Sequence, residues 1–147
     1  MHYKARVSGT EDEISSAAEL EARLGQLRDK ASAELWLVQH KGSMKGAERF
    51  LYRLLGLATE VTADAVHVLV NREKALVVFL DGDYNEYRIN NSGGPTTGSA
   101  TEFRTDDGHV ETAPVSECMT VEQALEAVRY FFRHGKRPDW HQYRRVK

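Results

Sequence analysis

The sequence predicts an α+β fold in which an antiparallel sheet of about six or seven strands packs with two N-terminal helices and one C-terminal helix. Three observations carry that expectation. The β-rich runs between residues 65 and 113 are joined by links too short for a parallel crossover. The last quarter of the chain holds an amphipathic helix whose start, apolar face and stop all agree. No repeat or linker divides the 147 residues, and 41% apolar content suffices for one core, so the chain reads as one domain, 1–147.

Tyr3 to Val7 alternate as a first strand, followed by a loop at Ser8-Gly9-Thr10 and the acidic run Glu11-Asp12-Glu13. Ser15 or Ser16 can cap a first helix, in which Ala18, Leu20, Leu24, Leu27 and Ala31 fall close to helical spacing. Leu35-Trp36-Leu37-Val38 is a short apolar run that reads as a strand buried on both faces, with Trp36 in the core. From Met44 to Thr59 the apolar positions Ala47, Phe50, Leu51, Leu54, Leu55 and Ala58 return to helical spacing and predict the second helix.

Ala65 to Val70 and Ala75 to Leu80 predict a hairpin across Asn71-Arg72-Glu73-Lys74, and Asp81-Gly82-Asp83 turns the chain into a third strand from Tyr84 to Ile89. The glycine- and serine-rich stretch from Asn90 to Ser99 reads as a loop. Thr101 to Thr105 and His109 to Ala113 form another hairpin around Asp106-Asp107-Gly108 and extend the sheet. At the end of the chain Thr120 and Gln123 stand three apart as a capping box. Val121, Ala124, Leu125, Val128, Phe131 and Phe132 line one helical face, Gly135 supplies a left-handed stop, and Pro138 forbids continuation. Trp140 to Tyr143 then return as an extended segment, with Trp140 anchoring the C-terminus.

Composition excludes several classes. No apolar run approaches the ~18 residues of a membrane span, and the first residues lead to no signal-like apolar stretch, so a cytoplasmic protein is expected. One cysteine, Cys118, excludes an internal disulfide framework and reads as a half-buried filler. Charge is nearly balanced overall but split along the chain. Lys74 to Glu126 carry 3 Lys/Arg against 10 Asp/Glu, whereas Ala127 to Lys147 carry 7 against 1. Such an acidic sheet region repels phosphate backbones, which argues against direct nucleic-acid binding.

The chemistry-bearing motifs are absent. Neither Gly-rich phosphate pattern occurs, the six histidines make no i, i+4 pair, and no serine sits in a nucleophile elbow, so no metal, no cofactor and no catalytic residue is assigned. His67, on an apolar strand, reads as a core or edge histidine bonded to a neighbour. Asp81, Asp83 and Glu86 gather around one turn and could mimic an acid/base pair, but they equally suit a solvated turn. Tyr84 and Tyr87, interleaved with Asp83, Glu86 and Arg88, have the composition of a protein-binding edge. A binding protein is therefore expected rather than an enzyme. A regulatory or scaffold module, or a small carboxylate-dependent enzyme, are the alternatives.

The run Thr120 to Phe132, followed by His134-Gly135-Lys136-Arg137-Pro138-Asp139-Trp140, resembles the ending of the first catalogued immunity-protein family of bacterial polymorphic toxin systems. Val68 to Leu80 is similar to that family's strand, turn and strand, although Arg72-Glu73 replaces a glycine-containing turn and residues 41–63 look longer and more helical than the family's link. The resemblance implies a small α+β inhibitor whose partner is a cognate toxin domain, commonly a nuclease or a nucleic-acid deaminase. Combined with the acidic sheet, it points to Asp81, Asp83, Tyr84, Glu86, Asp106 and Asp107 as contributors to a face that blocks the toxin's active site.

Overall fold

Strand alternation decides which residues meet and which face water. The computed structural model describes residues 2–43, 54, 60–83, 85–90 and 99–146. Among them β1 (His2–Val7), β2 (Thr10–Ile14), β3 (Ser32–Ser43), β4 (Glu60–Asn71), β5 (Lys74–Leu80), β6 (Glu86–Ile89), β9 (Met119–Thr120) and β10 (Tyr143–Arg145) form one sheet. Its order is β10-β6-β5-β4-β3-β1-β2, with β9 paired onto β5. Every pairing is antiparallel. The expected meander from residue 65 to 89 is present as β4, β5 and β6. The two hairpin strands β7 (Ala100–Arg104) and β8 (Val110–Pro114) form a separate two-stranded sheet.

One face of the large sheet carries Ala5, Val7, Leu35, Leu37, Val66, Val68, Val77 and Phe79, all buried. These pack with Leu20 and Leu24 of α1 (Ala17–Gly25) and with Leu125, Val128 and Phe131 of α2 (Val121–His134) into the main core. The Ser16 side chain caps α1 by accepting the Glu19 N–H. In α2 the Thr120 and Gln123 side chains each bond the other's backbone N–H, and Gly135 closes the helix at φ 69° with its N–H on the Phe131 carbonyl. That φ favours glycine. A Cβ there would also stand 2.8 Å from Gln39 Nε2.

The basic ending after α2 is a structural clasp. The Arg137 guanidinium lies 3.8 Å from the centre of the Tyr87 ring and 4.9 Å from that of Tyr143. Tyr143 donates its hydroxyl to the Pro138 carbonyl and meets Phe79 edge-on at 5.9 Å. Tyr143 therefore does the anchoring expected of Trp140. Trp140 itself is 57% exposed and touches Tyr130 edge-on at 4.6 Å. The returning strand runs over Tyr143–Arg145, slightly later than the sequence suggests.

Three further expectations change. The acidic run Glu11-Asp12-Glu13, to which the sequence assigns no strand, is an edge strand, because β1 places Lys4 opposite Glu13 and Arg6 opposite Glu11. Opposite charges across a strand pair stabilise it, and a charged edge resists further pairing. Arg23 of α1 binds Asp12 from the helix side. The first helix stops at Gly25, and Leu27 reaches the core from the following turn. The 101–113 hairpin crosses the second face of the sheet instead of extending it. There Phe103 and Ala113 pack on Leu69, Leu76 and Val78. The second helix, expected over 44–59, lies outside the described residues save Leu54, as does most of the 90–99 loop.

Candidate partner-binding face

The second face of the sheet carries the unusual side chains. Register alone assembles a row across six strands: Glu11, Arg6, Trp36, His67, Val78 and Arg88 stand on successive neighbours. Trp36 and His67, directly opposite, stack with ring centres 3.8 Å apart and planes at 11°. Trp36 is thus half-buried on this face and is not a residue of the main core. His67 Nε2 stands 2.7 Å from Glu34 Oε2, which fulfils the expectation of a bonded histidine. Glu34 is 4% exposed.

The β7–β8 hairpin is bolted over one part of this face. Arg88 donates to the Thr112 carbonyl at 3.1 Å and to Glu111 at 3.2 Å, and Asn71 donates to the Glu102 carbonyl at 2.7 Å. Between the hairpin tip and Trp36 remains a concavity of about 360 Å³. Glu34, Glu86, Asp106, Asp107 and Glu111 supply five carboxylates to its wall, against a single Arg6. The Asp106 N–H reaches Glu34 Oε1 at 3.4 Å. Burial, and then the charge of Glu34, push the Asp106 carboxyl above the ordinary aspartate range.

Three of the six anticipated contact residues therefore meet: Glu86, Asp106 and Asp107 line this concavity. Asp107 also holds its own turn, accepting from the Thr105 hydroxyl and from the His109 N–H, and the Thr105 bond foremost lowers its pKa. Asp81 and Asp83 stay apart, at the β5–β6 turn. Asp81 accepts the N–H groups of Asp83 and Asn85 at 3.0 Å each and the Asn85 side-chain amide at 2.9 Å, and that last bond chiefly lowers its pKa. It lines a different cavity, beside Arg137 and His141. Tyr84 lies outside the described residues.

Sequence reasoning missed Glu34, the outward face of Trp36, and Glu117. Alternation could have found the first two, since Glu34, Trp36 and Val38 share the parity opposite to Leu35 and Leu37. Glu117 ends a 3₁₀ turn (Val115–Glu117), is 1% exposed, and receives Arg144 Nε at 2.6 Å and Nη2 at 3.1 Å, with Arg88 at 3.8 Å. Nothing in the local sequence announces it. Among the described residues no three His, Cys, Asp or Glu side chains are placed to hold a metal ion, and no helix is long and apolar enough to cross a membrane.

Burial, opposed by Glu34, lowers the His67 pKa, and burial lowers that of His141. Below the ordinary histidine value of about 6.5 the unfolded chain takes up protons that the folded protein resists, so stability falls as pH falls from 7 towards 5.5. Urea unfolding midpoints for wild type and His67→Asn check this. The variant should show a shallower decline, retaining only the His141 part. Asp106, raised, acts in the opposite sense and only nearer the carboxylate range. Equal slopes for the two proteins would remove His67 from the account.

A sheet sealed by helices on one side and carrying an aromatic, carboxylate-rich concavity on the other defines the class: an α+β protein with a candidate contact face. Residues 8–145 match the family model described as Immunity protein Imm1, and the chain belongs to that family. No curated protein matches it. Membership in an immunity-protein family, generally non-enzymatic, points to toxin neutralisation and to a cognate toxin protein as the partner.

Proposed function

We propose that the chain binds a cognate bacterial toxin in the cytoplasm of the producing cell and neutralises it by covering the active site, and that this toxin is a nuclease or a nucleic-acid deaminase. One observation beyond family membership supports the reading: five carboxylates line a single concavity against one arginine. An enzyme acting on nucleic acid holds phosphates with Lys and Arg, so its working groove is positive. An acidic face fits such a groove and is drawn to it at long range. Glu86, Asp106 and Asp107 form the centre of the contact. Asp81, Asp83 and Tyr84 are further contributors to the contact. The same negative field repels phosphate backbones, so the protein meets nucleic acid only through the toxin.

Co-expression with the toxin domain encoded by the neighbouring gene tests the reading. Growth is restored, the two proteins co-purify, and the association rate drops by about tenfold or more as salt rises from low to several hundred millimolar. No complex and no growth rescue would dismiss the function. Association indifferent to salt would dismiss the acidic face as its agent.

A further inference from the structure

We propose that the concavity beside Trp36 is a socket for one arginine side chain of the toxin, gripped by Glu34 and Asp106 beside the stacked Trp36 and His67 rings. The inference rests on the immunity reading and names the chemistry of its contact. Glu34 carries the argument. Its carboxylate is buried, yet it has one short bond, to His67 at 2.7 Å, and one long one, from the Asp106 N–H at 3.4 Å. Among the described residues no Lys or Arg forms an ion pair with it. A carboxylate withdrawn from water is disfavoured unless its charge and its lone pairs are met, and two oxygens offer about four acceptor sites.

Burial lowers the His67 pKa and so works against its carrying the charge that would balance Glu34. The Asp106 carboxyl is raised in the same place, by burial first and then by the charge of Glu34, with Arg6 opposing. Both groups line one cavity of about 360 Å³, enough for a single long side chain.

A guanidinium suits this socket better than an ammonium. Its planar fork can bond Glu34 and Asp106 together, and its weakly hydrated plane tolerates the neighbouring aromatic rings. Lysine offers a point charge and no plane. An arginine that grips phosphate in a nucleic-acid-cleaving or -deaminating site would be a natural occupant, and its capture would remove a working residue from the toxin.

A double-mutant cycle tests the socket. Glu34→Gln and Asp106→Asn are each combined with alanine replacements of the toxin's surface arginines, and affinities are measured beside thermal unfolding of each variant. Either socket variant alone weakens binding about tenfold or more, and one toxin arginine, once removed, weakens it about thirtyfold or more. Combined with Glu34→Gln, that arginine's removal adds little further loss. If Glu34→Gln fails to fold, the same cycle on Asp106→Asn, at an exposed turn, decides. Losses that multiply for every toxin arginine overturn the socket while leaving the immunity function intact. Failure of the wild-type chain to bind the toxin overturns that function, and the socket falls with it.

Discussion

Phe103→Ala lowers the unfolding free energy by about 4 kcal/mol, within the usual range for emptying a fully buried phenylalanine site. Phe103 is 0% exposed and is the largest side chain of the second core, where only Leu69, Leu76, Val78 and Ala113 are buried around it. So small a cluster has few neighbours able to collapse into the space. The loss should fall first on the β7–β8 hairpin, whose remaining ties include the Arg88, Asn71 and Lys74 hydrogen bonds and that of the Asp106 N–H to Glu34. Amide exchange would then show the hairpin losing protection before β3, β4 and β5, which lie under the main core on the other face. Because the hairpin carries Asp106 and Asp107, the same substitution should weaken toxin binding even where the sheet stays folded. Uniform loss of protection over the whole chain would contradict this division into two cores.

Glu117→Ala should cost about 3 kcal/mol, the lower end of the range for stripping one partner from a buried ion pair. The Glu117 side chain is fully buried, while Arg88 and Arg144 keep 13% and 34% of their side chains exposed, so water relieves part of the stranded charge. Arg144 belongs to β10 and Arg88 to β6, so the pair stitches the outermost strands to the turn before α2. A lower urea midpoint at unchanged m-value is expected. In the Glu117→Ala background, Arg144→Ala should cost less than it does in the wild type, because its partner has already gone. Full additivity would show that the pair contributes nothing.

How much of this was legible in sequence depends on whether the deciding partner is local. Helix α2 was readable because its capping box, apolar face and Gly135 stop all lie within sixteen residues. The meander β4–β5–β6 was readable because its links are too short for any other pairing. Strand β2 was not, since Glu11-Asp12-Glu13 has little strand propensity of its own and becomes a strand only opposite Lys4 and Arg6. The position of the 100–114 hairpin was hidden too. Its sequence specifies two paired strands but not the surface of Leu69, Leu76 and Val78 on which Phe103 rests.

The candidate site divides along the same line. Charge counting, combined with the family resemblance, picked out the acidic stretch and Glu86, Asp106 and Asp107, which share one concavity. It also grouped Asp81 and Asp83 with them, because neighbours in sequence were treated as neighbours on a face. Glu34 went unnoticed as one acid among apolar residues, and Glu117 because its cations come from strands 27 and 29 residues away.

The affinity of the cognate toxin for a charge-reversed face is the most direct measurement. Glu86→Lys combined with Asp106→Lys should weaken binding by at least about a hundredfold, since like charges brought together across an interface cost several kcal/mol. Glu73→Lys, the same reversal of charge at a single residue of the exposed β4–β5 turn, should leave affinity close to wild type. A doubly reversed protein that still held the toxin as tightly as the wild type would place the contact elsewhere and contradict the account.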